Sequence, residues 1–286
     1  IGQYANAGAV FRAALERGRQ RRRLDEQAAA HNLLSFLAYL RSDYNGVGHH
    51  AQQALDLATE AGEISLQAPG LRHLGIVVYR TGDYGLARQL YDEALLAYRQ
   101  VGDRLGMAGV YNNIGFVLRT EAHYAEAIAA FQEALALYRE MGQVEGIALI
   151  HSNIGRTYAF SGDLAQARQQ LEQGLALSQE ANTDWITVKI HRTLGNVFFQ
   201  NRQWPEALSH ARQAQRLAEA LGSPEDLGAT LRLLAELAEA WSDSRLDEPR
   251  RYFEQSISLL RQVGAQDELE RAEAAFAAYR AAAQAA

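Results

Sequence analysis

The sequence predicts an all-α fold, an α-solenoid built from stacked antiparallel helix pairs, and three observations predict it. First, the chain repeats every 40 residues: Gly75, Gly115, Gly155 and Gly195 stand 40 apart, and Ala87, Ala127, Ala167 and Ala207 each follow by 12. A strict period of this length marks an array of one supersecondary unit. Second, apolar residues recur at helical spacing, as Val110, Ile114, Val117 and Leu118 do, and then Tyr124, Ile128, Phe131, Leu135 and Tyr138. Third, each copy carries a break in its middle, Thr81-Gly82-Asp83-Tyr84 or Ser161-Gly162-Asp163-Leu164. The glycine there ends one helix and the aspartate caps the next.

Two helices of about 15–18 residues and their short turns fill one period. The mid-helix glycines each cost about 1 kcal/mol relative to alanine, so their recurrence predicts a facing helix that must come close. The alanine series offers the matching small surface, and Tyr91, Phe131 and Leu171 fill the space between units.

Taken in order, residues 1–25 read as the second helix of a truncated repeat, because Gln3 to Leu15 align with the segment from Gly82 onward. Residues 26–65 form a degenerate copy, with Ser35 at the glycine position and Val47 at the first alanine. The clear copies are 66–105, 106–145, 146–185 and 186–225. Residues 226–265 form another degenerate copy, with Ala235 for glycine and an insertion around Ser242 to Pro249, and 266–286 read as a capping helix. The whole of 1–286 is thus expected to be one solenoid. The missing partner of the first helix predicts a fragment of a longer protein.

The motif x-x-Leu-Gly-x-x-Tyr followed by Ala-x-x-x-Phe-x-x-Ala resembles the tetratricopeptide repeat. Here it reads Leu74-Gly75 with Val78, Ile114-Gly115 with Leu118, Ile154-Gly155 with Tyr158, and Leu194-Gly195 with Phe198. The second half reads Ala87-Tyr91-Ala94, Ala127-Phe131-Ala134, Ala167-Leu171-Gly174 and Ala207-Ala211-Ala214. The period resembles the long-repeat branch found in kinesin light chain, spindle-orientation G-protein modulators and bacterial regulator sensors. That resemblance implies a right-handed superhelix whose first helices line a concave groove that binds an extended peptide.

The same resemblance places groove positions six, three and two residues before the glycine and one, four and five after it. Over the four clear copies these 24 positions hold six fixed positive charges, Arg72, Arg80, Arg119, Arg156, Lys189 and Arg192, and no carboxylate. Average composition would place roughly three acids there. Asn112, Asn113, Asn153 and Asn196 fall in the same set, and a side-chain amide both donates to and accepts from a peptide backbone. Tyr79, Phe116, Phe160 and Phe199 supply apolar subsites, and His73 completes the candidate set. Arginine selects carboxylate through paired hydrogen bonds, so the expected ligand is an acidic, extended peptide. Against this stands the plainer possibility that the arginines solvate a curved surface and the asparagines bond neighbouring helices.

Composition excludes other classes. A net charge of −6 argues against a nucleic-acid binder. There is no cysteine, hence no disulfide or thiolate site, and Lys189 is the only lysine among 28 basic residues, a bias that suits a high-GC bacterial genome. No apolar run approaches the ~20 residues of a membrane span, so no membrane partner and a cytoplasmic setting are expected. Phosphate loops, Gly-x-Ser-x-Gly and His-Glu-x-x-His are absent, so neither an enzyme nor a cofactor is expected. His31, His151 and His191 occupy one position in different repeats, too far apart to share an ion, and read as core.

In the peptide-binding reading the segment belongs to a partner or to another domain of the parent chain. Two further functional readings remain open. The array is a sensory module of a larger regulator, binding a peptide or small effector and passing a change in curvature to an NTPase or DNA-binding domain. Alternatively it is a scaffold that self-associates through its first helix and its alanine-rich end.

Overall fold

A computed structural model of the chain describes residues 2–241 and 249–285, so the expected insertion lies, apart from Pro249, outside the described residues. All described secondary structure is helical. The chain forms two compact units, Ile1–Met141 and Gly142–Ala286. The first holds α1 (Gly2–Arg21), then the pairs α2 (Leu24–Leu40) with α3 (Tyr44–Ala61), α4 (Ile64–Arg80) with α5 (Tyr84–Val101), and α6 (Arg104–Thr120) with α7 (Tyr124–Glu140). The second holds α8 (Val144–Ser161) with α9 (Leu164–Glu180), α10 (Asp184–Gln200) with α11 (Trp204–Leu221), α12 (Pro224–Ala240) with α13 (Pro249–Gln262), and α14 (Gln266–Ala285).

The glycine prediction holds atom by atom. A Cβ added to Gly75 would stand 2.5 Å from the Tyr91 ring, at Gly115 2.5 Å from Phe131, and at Gly155 2.6 Å from Leu171. Gly195 differs, because its expected partner is the small Ala211; Leu233 of the next pair fills the space at 2.8 Å instead. Ala87, Ala127, Ala167 and Ala207 are fully buried. The two helices of a pair thus close on one another, and at Gly195 a pair closes on the next.

The turns follow the same economy. Gly82 and Gly162 take left-handed backbone, and Asp83 and Asp163 accept from Leu86 N–H and Gln166 N–H as N-caps. Ala122 stands at the equivalent left-handed position with φ 60°, where glycine would be the less strained residue.

His31, His151 and His191 are all buried, each bonded to the residue 19 positions later. His31 Nδ1 meets His50 Nδ1 at 3.0 Å and His191 Nδ1 meets His210 Nδ1 at 2.9 Å, while His151 Nδ1 meets Gln170 Oε1 at 2.8 Å. In each histidine pair one nitrogen must carry the proton and the other accept it, so the accepting ring at least must be neutral. Burial first, and then the neighbouring histidine, pushes both His31 and His191 down to about 4 from the usual 6.5. The depressed values mean that stability is complete above pH 6.5 and is lost as pH falls from 6.5 to about 4. Urea midpoints measured across that range are expected to fall. A double His50→Gln/His210→Gln variant, which copies Gln170, is expected to fall less; an equal slope would show that the pairs are not the source.

Candidate functional site

In each unit the first helices meet their next-but-one neighbours, α2 with α4 and α4 with α6, and α8 with α10 and α10 with α12. This closeness puts them on the inner side of each stack, and the six-position register can be followed along them.

In the first unit, His73 is buried and lies parallel to the rings of Phe36 and Tyr39 at 6.5 Å. Arg72 Nη2 stands 3.3 Å from His73 Nε2. Burial, with Arg72 beside it, takes His73 down to about 3, so it is a neutral spacer rather than a charge. The Tyr79 hydroxyl bonds Thr120 Oγ1 at 2.8 Å. Arg80 is exposed with its guanidinium 3.9 Å above the Tyr44 ring, and Arg119 covers Phe116 at 4.6 Å. Such stacking holds arginine stems down; Arg80 stays exposed, whereas Arg119 Nη1 is buried. Asn112 and Asn113 are half-buried, and Asn113 Nδ2 is buried without a hydrogen-bond partner.

The same register read along α2 gives Leu33, Phe36, Tyr39 and Leu40, which are 41 to 45% exposed and form an apolar strip beside Arg72 and Arg80. The sequence reading missed this strip because it applied the register only to copies with glycine, although Ser35 marks the position equally well. An apolar strip rimmed by charge is unusual on a surface without a partner.

In the second unit Asn153 and Arg192 are buried, Phe160 is exposed, and Lys189 lies 5.1 Å from the Trp185 ring. Asn196 Nδ2 donates to the Arg192 carbonyl at 3.0 Å, so part of its capacity is spent on its own helix. Phe199 packs edge-on against Trp204. The Arg192 side chain is 8% exposed and that of Arg156 26%. The first turns of α14 carry Glu268 to them, with Oε1 at 3.0 Å from Arg156 Nη2 and 3.3 Å from Arg192 Nη1. Arg232 and Arg271 complete the cluster at 3.8 and 3.5 Å. Burial alone would raise the Glu268 carboxyl, but Arg192, Arg156, Arg232 and Arg271 together hold it at about 2. The expected capping helix is therefore also an occupant of the basic face. Neither Glu268 nor Arg232 was on the candidate list; Arg232 sits at the register position of Arg72 and Arg192, three before Ala235.

Among the described residues no group of three or more histidines or acids is placed to hold a metal ion, and no helix is long and apolar enough to cross a membrane.

Stacked helix pairs with a charged, partly apolar inner face define a helical-repeat recognition scaffold. Models of the tetratricopeptide repeat match residues 66–140 and 148–180. The chain carries tetratricopeptide repeats, units whose fold is typically a non-enzymatic scaffold for protein interaction. No curated protein matches the sequence. Among solved structures, the chain is similar to BtubC (BKLC) from P. vanneervenii, with TM-score 0.62 and 19% identity over 77% of this chain and 92% of that one. It is also similar to aspartyl phosphate phosphatase F from Bacillus subtilis, with TM-score 0.69 and 16% identity over 87% of this chain and 63% of that one. A Rap protein complexed with Competence and Sporulation Factor gives TM-score 0.66 and 14% identity over 87% and 73%. At these identities the likeness is one of fold.

Proposed function

We propose that the inner faces of the repeats bind an extended peptide segment carrying acidic residues, with apolar side chains between them. The observation that carries this reading is Glu268: an acidic side chain presented by a polypeptide segment already sits among Arg156, Arg192, Arg232 and Arg271. In the first unit the strip of Leu33, Phe36, Tyr39 and Leu40 offers apolar subsites on α2, and Arg72 and Arg80 follow on α4 and Arg119 on α6. Asn112 and Asn113 are the amides that would hold the peptide backbone there, and in the second unit Asn153 and Asn196 take that role. The Rap complex with Competence and Sporulation Factor supports the reading to the extent that a similar fold accommodates a partner.

Selection from a random peptide library, read by sequencing, tests it. Enrichment of Asp and Glu interleaved with apolar residues is expected, with binding that weakens as salt rises. An Arg80→Glu/Arg119→Glu variant, shown by circular dichroism to fold normally, is expected to lose binding by tenfold or more, on the order of 1.4 kcal/mol. Selected peptides without acidic bias, or equal binding to the variant, would sink the proposal. A sensory role within a larger regulator draws on the same contact, because a ligand that outcompetes Glu268 would release α14.

A further inference from the structure

A cavity of about 210 Å³ lies in the second unit, lined by Arg156, Phe160, Arg192, Asn196, Arg232 and Arg271. Four guanidinium groups there face two carboxylates within ion-pair distance: Glu268, which all four share, and Glu236, 2.6 Å from Arg232. Glu225 and Asp226 act on Arg192 only at longer range. Counted within ion-pair distance, two positive charges therefore stay unbalanced, beside a cavity whose wall runs from buried Arg192 and Thr193 to exposed Phe160 and Arg271. The Nε–H groups of Arg192 and Arg232, on side chains 8 and 12% exposed, are buried with no acceptor, and Glu268 Oε2 beside them is buried with no hydrogen-bond donor. A buried donor left unmet is costly until an acceptor arrives. Burial first, and then the facing Arg192, lowers Arg156 to about 10, whereas Arg192, against its own burial, is raised by Glu268, Asp226 and Glu225.

We propose that this cavity is a binding site for a phosphoryl dianion, a phosphate monoester or inorganic phosphate. Two charges balance the surplus, and tetrahedral oxygens suit several arginine forks at once, where a second carboxylate would leave one charge unmet. Phosphate alone underfills the space. The remainder adjoins Ala159 and Phe160, whose ring already lies against Arg156 at 5.6 Å and Arg271 at 5.2 Å. An esterified organic group fits against that wall. The site shares Arg156, Phe160, Arg192 and Asn196 with the peptide reading and deepens it, naming what the second unit takes beside Glu268.

Isothermal titration calorimetry at constant ionic strength, with inorganic phosphate, O-phospho-L-serine and succinate as separate probes, tests the site. Saturable one-to-one binding of phosphate or phosphoserine is expected, tighter than succinate by about tenfold. Tighter phosphoserine identifies an esterified ligand, and tighter phosphate a free ion. Arg271→Gln removes a side chain that is 43% exposed, and is expected to weaken binding about tenfold with tryptophan fluorescence unchanged. Arg250→Gln, which alters an exposed pair with Glu254, is expected to change nothing. The proposal is overturned by an affinity weaker than about 10 mM for both phosphoryl probes, by succinate binding equally well, or by equal losses in the two variants. Failure of peptide selection with phosphate binding intact would remove the peptide reading alone. The reverse result would remove this one.

Discussion

Replacing Glu268 by glutamine is expected to destabilise the second unit by about 3–5 kcal/mol, the cost of leaving buried charges without their partner. The substitution keeps the shape and removes only the charge, so Arg156, Arg192 and Arg232 would face one another, with Glu236 still paired to Arg232 and Asp226 and Glu225 acting on Arg192 at longer range. The readout is specific to that unit, because Trp185, Trp204 and Trp241 are the chain's three tryptophans and all lie in it. Urea unfolding followed by tryptophan fluorescence would measure the loss. Glu273→Gln breaks the exposed pair with Arg261 and is expected to cost no more than about 1 kcal/mol. Acid should reveal the same contact. The Glu268 carboxyl is held at about 2 against the usual 4.5, so its contribution is full above pH 4.5 and disappears as pH falls from 4.5 to about 2. The variant should lack that part of the pH dependence. An unchanged midpoint in Glu268→Gln would mean that packing, not charge, holds α14.

Gly155→Leu is expected to cost about 3 kcal/mol or more, at the upper end for an overpacked core. A Cβ at Gly155 would stand 2.6 Å from Leu171 Cγ and 3.0 Å from the Ala167 carbonyl oxygen. Leu171 is fully buried and the carbonyl belongs to the backbone of α9, so relief requires moving the helix. Gly85 provides the contrast, being exposed with its nearest neighbour 3.8 Å from an added Cβ. Gly85→Ala is expected to stabilise by about 0.5–1 kcal/mol through helix propensity alone. Urea titrations of the two variants would show shifts of opposite sign. A Gly155→Leu protein as stable as the parent would refute the close-approach account of the repeated glycines.

The helix pairs were legible because their causes are local and repeated. Gly115 facing Phe131, or Asp83 capping α5, each follow from spacings shorter than one repeat. Arg232, Phe36 and Tyr39 were legible in principle, since Ala235 and Ser35 hold the glycine register, but glycine itself was the only marker used. The His31–His50 and His191–His210 bonds share one offset, and that coincidence was a signal left unread. Glu268 is a different case. Its partner Arg156 lies 112 residues away, and the bond depends on where α14 crosses the first helices, which no period records.

Glu268 also has a mechanical consequence. One carboxylate tied to α8, α10 and α12 fixes the separations between three successive first helices. Curvature in a stacked array arises from small rotations between neighbours, and those rotations alter these same separations. The ion cluster is thus a brace: it stiffens the second unit against bending, and breaking it would make that unit a softer spring.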